Sequence, residues 1–130
     1  ACMLKMFVLL ETFDAHDLEV AREVLAARKG HNEQILIGVN CRDLDKLTVD
    51  LPRLHQLAEY LPPAFTYVAE SGVASLDDVK TVVDIGYHVA LVGTTLMHSA
   101  DPRKLLGEML ASGRERALAV RTRRIVADDV

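Results

Sequence analysis

The chain has little of what marks a metal-held, secreted or membrane-spanning protein. Cysteine occurs only at Cys2 and Cys41, without metal-ligand spacing, so the sequence predicts two ordinary thiols and no disulfide framework. His16, His31, His55, His88 and His98 are scattered, none closely paired with another or with a cysteine, which predicts no structural metal. No apolar run is long enough to span a bilayer and no signal-peptide pattern opens the chain, so a soluble, cytoplasmic protein with no membrane partner is expected. The formal net charge of −4 argues against a large nucleic-acid footprint. No Gly/Ser linker or low-complexity tract divides residues 1–112, and 130 residues, half of them hydrophobic, suffice for one domain with a real core.

What is present is a set of short apolar runs that end abruptly in polar groups. Ile35-Leu36-Ile37 runs into Gly38-Val39-Asn40-Cys41-Arg42-Asp43-Leu44. Phe7-Val8-Leu9-Leu10 precedes Glu11, Tyr67-Val68-Ala69 precedes Glu70-Ser71-Gly72, and Val89-Ala90-Leu91-Val92 precedes Gly93-Thr94-Thr95. Strands are expected near 6–11, 34–40, 65–70 and 88–93, apolar on both faces as in parallel sheets covered by helices. A buried strand that ends in an amide, a guanidinium or a carboxylate delivers those groups to an open rim.

Amphipathic helices follow each run. Asp14 suits the cap of the first, whose stripe is Leu18, Ala21, Val24 and Leu25. Asp50 is expected to cap the second, with Pro52 in its first turn and Pro62-Pro63 as its stop. Ser75 and Asp78 resemble a capping box for the third, which ends at Gly86. Asp101-Pro102 opens the fourth, expected to end near Gly113. The order βαβαβαβα with right-handed crossovers predicts a parallel α/β sheet. Residues 113–130, rich in arginine from Arg114 to Arg124, fall outside the repeat and read as a C-terminal extension, a solvated helix or a disordered tail; an anionic partner is a further reading.

These segments resemble the indole-3-glycerol phosphate synthase family. The resemblance rests on Leu9–Asp14, Ile37–Leu44 with Val49-Asp50-Leu51, Val68–Val73 and Leu91–Met97, in that order. It spans roughly residues 3–112. Such proteins are complete (β/α)8 barrels of about 250 residues. The resemblance therefore implies a (β/α)4 half of a TIM barrel over residues 1–112, matching strands five to eight.

The family's reaction is a decarboxylating ring closure of a carboxyphenylamino-deoxyribulose phosphate in tryptophan biosynthesis. The resemblance implies acid/base work for Glu11, substrate contacts for Asn40 and Arg42, and a place near the reacting centre for Glu70. A guanidinium suits a carboxylate and an amide suits a hydroxyl. Plain structural roles stand beside these: Glu11 as a charge before a helix, or Arg42 paired with Asp43 or Glu70. Ser71, Gly72, Gly93 and Thr94 are the candidate phosphate cradle, since glycine turns expose N–H groups. No cofactor is implied. The family's catalytic lysines stand on strands one and three, which are absent here, and none of Lys5, Lys29, Lys46, Lys80 or Lys104 matches them.

The sequence therefore implies a synthase-like chain with a phosphate cradle and a phosphorylated substrate, inactive without its other half. A non-catalytic phosphate-binding or assembly module is the alternative, and an isomerase reading is disfavoured by Asn-x-Arg-Asp-Leu. A bare half barrel would expose a sheet face and two edges, which predicts a homo-oligomer, a complementing half-barrel chain, or a flattened doubly wound sheet.

Overall fold

The computed structural model describes residues 1–28, 30–42 and 50–128. Each of the four apolar runs forms a strand: β1 (Val8–Thr12), β2 (Ile35–Val39), β3 (Thr66–Ala69) and β4 (Val89–Ala90). All three pairings are parallel and the strand order is β1-β2-β3-β4, the arrangement of successive right-handed βα units. The strands fall near their expected positions, though β4 keeps only two residues of the expected six. Beyond Ala90 the chain turns toward a short helix that the sequence reading missed.

The helices are α1 (Ala15–Ala26), α2 (Pro52–Ala58), α3 (Leu76–Ile85), α4 (Thr94–Met97) and α5 (Pro102–Asp128). Their starts follow local chemistry. The Asp14 carboxylate accepts the Asp17 N–H at 2.9 Å while Asp17 accepts the Phe13 N–H, two otherwise orphan donors satisfied reciprocally. Ser75 and Asp78 do the same for α3, and Asp101 accepts the Lys104 N–H at 2.9 Å for α5. Gly86 ends α3 at φ 118, a left-handed cap.

Two expectations fail. Asp50 does not cap α2; Leu51 stands at the cap with no side-chain bond, and Pro52 alone removes one orphan donor. Nor does the fourth long helix stop at Gly113. Helix α5 continues to Asp128, so the segment after 113 takes the helical of its two expected forms. The physical reason is packing. A side chain at Gly113 would stand 3.2 Å from Val79 Cγ1, so its absence lets α5 approach α3. Arg116 then closes a two-pronged bridge to Asp84, each hydrogen bond 2.6 Å long. The residues just after it, Arg114 to Leu118, are good helix formers, which offsets the cost of about 1 kcal/mol for glycine at 113.

Side chains along a strand alternate between faces. The helix-side set, with Ile37 and Val39 at 0 % exposure, packs against Leu18, Leu25, Leu54, Val79, Val82 and Met109. Tyr87 closes this core by donating its hydroxyl to Leu54 O at 3.0 Å, and burial pushes that hydroxyl's pKa well up. The opposite face carries Leu9, Glu11, Leu36, Gly38, Val68 and Val89 in register. No helix covers it among the described residues, and Leu9, Val89 and Leu91 are 36 %, 42 % and 48 % exposed.

Candidate functional site

The polar residues gather where the strands end. Parallel strands point all their carboxyl ends one way, so the segments after β1, β2 and β3 emerge side by side. Asn40 is the hub. Its backbone N–H donates to Thr12 O at 2.9 Å, which seats it beside the end of β1. Its amide Nδ2 donates to Glu11 Oε1 at 3.0 Å, and its Oδ1 accepts the Ser71 hydroxyl at 2.7 Å and the Arg42 N–H at 3.0 Å. One amide thus ties together three consecutive strand ends.

Glu70 joins from β3. Its N–H donates to Val39 O at 3.0 Å, and its carboxyl folds back over Gly38 on the uncovered face. A side chain at Gly38 would collide with the Glu70 carboxyl, lying only 2.7 Å from its Cδ. Burial raises the Glu70 pKa to about 7, helped by the Glu11 charge and by a hydrogen bond to Glu11 that only the protonated form can donate. Its Oε1 is buried and has no hydrogen-bond partner among the described residues. This replaces the ion pair with Arg42 that the sequence allowed: among the described residues Glu70 meets a second carboxyl, and Arg42 is exposed with no ion pair. The other alternative partner, Asp43, lies outside the described residues, as do Leu44, Lys46 and Lys29.

The residues proposed for phosphate lie next door. Ser71 follows Glu70, and its carbonyl accepts a 3.2 Å bond from the buried Cys41 thiol. Gly72 has φ 90, a conformation that favours glycine. Gly93 immediately precedes α4, and a side chain there would meet nothing within 4 Å, so its peptide is openly accessible. Thr94 is exposed at the first position of α4. Among the described residues neither bonds to the Asn40 cluster. What joins the two loops is Thr95, whose hydroxyl donates to Val73 O at 3.4 Å.

Sequence reasoning missed Gly38 as a working residue, Thr95 as a tie, and the carboxyl pair itself. The signal for the first was legible, because glycine inside an apolar strand marks close approach of another group. Among the described residues no three His, Cys, Asp or Glu side chains converge as metal ligands. Lys5 precedes β1, while Lys80 pairs with Asp77 on α3 and Lys104 with Glu108 on α5. None of these lysines stands at the carboxyl rim.

Four parallel strands alternating with helices, with polar side chains at their carboxyl ends, define a partial TIM-barrel-like protein. A crystal structure of the Amycolatopsis orientalis BexX/CysO complex contains a chain of the same fold, with a TM-score of 0.66 over 93 % of this chain and 47 % of that one, at 17 % identity. That likeness concerns the fold. The family described as indole-3-glycerol phosphate synthase matches residues 1–109, and the chain belongs to that family. An indole-3-glycerol phosphate synthase of Methanothermobacter marburgensis is 44 % identical over 77 residues, which is 59 % of this chain and 28 % of the relative. One from an Arthrobacter species is 39 % identical over 118 residues, 91 % of this chain and 40 % of the relative. The chain therefore spans well under half the length of these relatives. Among the described residues no helix is long and apolar enough to cross a membrane.

Proposed function

We propose that this chain provides the carboxyl-terminal half of an indole-3-glycerol phosphate synthase site, binding the phosphorylated substrate and handling one of its protons. The observation that carries the reading is the Asn40 hub, which holds Glu11, Ser71 and the start of the Arg42 loop at one rim. The reaction closes an indole ring on a carboxyphenylamino-deoxyribulose phosphate, with loss of carbon dioxide and then water. Dehydration needs a positioned acid and base with pKa values near the working pH. Glu70, raised to about 7, holds a proton that Glu11 accepts, so the pair divides these roles. Asn40 orients Glu11 and a substrate hydroxyl.

The exposed Arg42 guanidinium takes the substrate's aromatic carboxylate through two parallel hydrogen bonds. Ser71 and Gly72 with Gly93 and Thr94 receive the phosphate, where an accessible peptide and two hydroxyls supply donors without bulk. Turnover needs a proton donor at the ketone, and the described lysines lie elsewhere. The chain alone is therefore a phosphate-ligand module that turns over only beside a complementary half.

Titration calorimetry with inorganic phosphate and with the sugar-phosphate substrate tests the cradle, and turnover with an added first half tests the synthase assignment. Gly93→Asp adds bulk and like charge, so phosphate affinity should fall roughly tenfold or more. Unchanged affinity removes the cradle. Phosphate binding without turnover in either condition leaves only the binding module.

A further inference from the structure

The turn between β3 and α3 is held from beneath by a residue that the sequence marked only as an ordinary thiol. Cys41 follows the Asn40 hub, and its side chain is fully buried in the core with Ile37 and Val39. Its thiol donates to the Ser71 carbonyl at 3.2 Å. Its own carbonyl accepts the Asp50 N–H at 3.1 Å, which seats it against the approach to α2. Asn40 meanwhile accepts the Ser71 hydroxyl at 2.7 Å. Two consecutive residues at the end of β2 thus hold Ser71 by its side chain and by its backbone.

The consequence falls on the next peptide. No peptide bond among the described residues is cis. A trans peptide points its C=O and the following N–H in opposite directions. With the Ser71 C=O turned down onto the buried thiol, the Gly72 N–H points up and away from the core. That N–H has no hydrogen-bond partner among the described residues, and Gly72 is only half-buried. The next carbonyl along, that of Val73, accepts the Thr95 hydroxyl at 3.4 Å. Two oxygens that would repel an anion are therefore engaged, and the N–H between them is left to donate.

We infer that Cys41 is a positioning residue for anion binding: its thiol sets the Ser71–Gly72 peptide so that the Gly72 N–H stands open to a phosphate oxygen. The inference rests on the cradle reading above and adds a residue that acts through a peptide without meeting the ligand. A buried cysteine ordinarily serves as a small apolar filler. A filler makes phosphate binding depend on side-chain volume at 41, whereas a positioning donor makes it depend on the thiol hydrogen.

Cys41→Ala and Cys41→Ser separate the two roles, because they remove nearly the same volume and only serine keeps a donor. Both variants should lose resistance to urea. Titration calorimetry of the full chain with inorganic phosphate should find affinity about three- to tenfold weaker in Cys41→Ala, the range of one intramolecular hydrogen bond, and within about twofold of wild type in Cys41→Ser. Equal weakening in both makes Cys41 a filler and overturns the inference, as does unchanged affinity in both. If both variants unfold, amide NMR of the wild type carries the test: added phosphate should move the Gly72 N–H downfield, among the largest shifts in the chain. Phosphate that binds without moving Gly72 overturns the inference and spares a cradle built on Gly93 and Thr94. A wild type that binds no phosphate removes the cradle itself, and the inference with it.

Discussion

The two faces of this sheet are built from the same strands and finished to opposite standards. On the helix side Ile37 and Val39 are fully buried, and every neighbouring element contributes an apolar side chain. On the other side Leu91 stands half exposed, and polar contacts gather at the strand ends: Asn40 to Glu11, Ser71 to Asn40, Glu70 against Glu11. Apolar packing and the polar cluster fall on different faces. The covered face supports the strands rigidly, and the bare one spends that rigidity on holding two carboxyls together over a glycine.

The contrast is sharpest in paired truncations. Ile37→Ala should cost about 2–5 kcal/mol in urea unfolding, because it opens a cavity in a packed core. Leu91→Ala should cost under about 1 kcal/mol, since its side chain already meets water. Equal costs would mean the two faces are not different in kind.

Gly38→Ala crosses from one face to the other and should come next. The new methyl displaces the Glu70 carboxyl, at a cost of about 1–3 kcal/mol. Carboxyl titration followed by NMR should show the Glu70 pKa dropping from about 7 toward 4.5 as it leaves its partner and its burial. A pKa that stays near 7 would remove Gly38 from the account.

Glu70→Gln isolates the proton. Folding raises this pKa, so the folded chain binds the extra proton between about pH 4.5 and 7. Its contribution to stability is complete below the lower value and lost as the pH rises through the upper one. The wild type should therefore lose urea resistance between pH 5 and pH 8, and the glutamine variant should lose less. An identical pH slope would place the raised pKa elsewhere.

Arg116→Ala should give the smallest effect, because the Asp84–Arg116 bridge is largely solvated. The guanidinium holds the Asp84 carboxyl below the usual carboxylate range, so the bridge contributes above that range and is lost as the pH falls. Melting temperatures at pH 7 and pH 3 should show a slight deficit at the first and none at the second.

How much of this was legible in the sequence differs by element. Strands β1 to β3 were readable because runs such as Ile35-Leu36-Ile37 have no polar position to expose. The starts of α1, α3 and α5 were readable because Asp14, Ser75 and Asp101 act on donors three residues away. Asp50 misled because the same residue type caps only when the backbone turns at that residue, and here the helix begins one position later. Gly113 misled because a glycine that ends a helix and one that lets two helices touch look alike in a string. At the site, Glu11, Asn40, Glu70 and Ser71 were all named in advance and meet as one cluster. Which of them touch was not legible, and in place of the Arg42–Glu70 pair that the sequence left open as an alternative, Glu70 meets a second carboxyl.

Sequence alone determined the order of strands and helices, the caps and the set of polar residues at the rim, because each depends on neighbours within a turn or a strand. Tertiary structure decided the pairing of Glu70 with Glu11, the continuation of α5 through Gly113 and the bareness of one sheet face. Those depend on which distant segments come into van der Waals contact: a missing side chain at Gly38 or Gly113 acquires meaning only from the residue that arrives to fill its place.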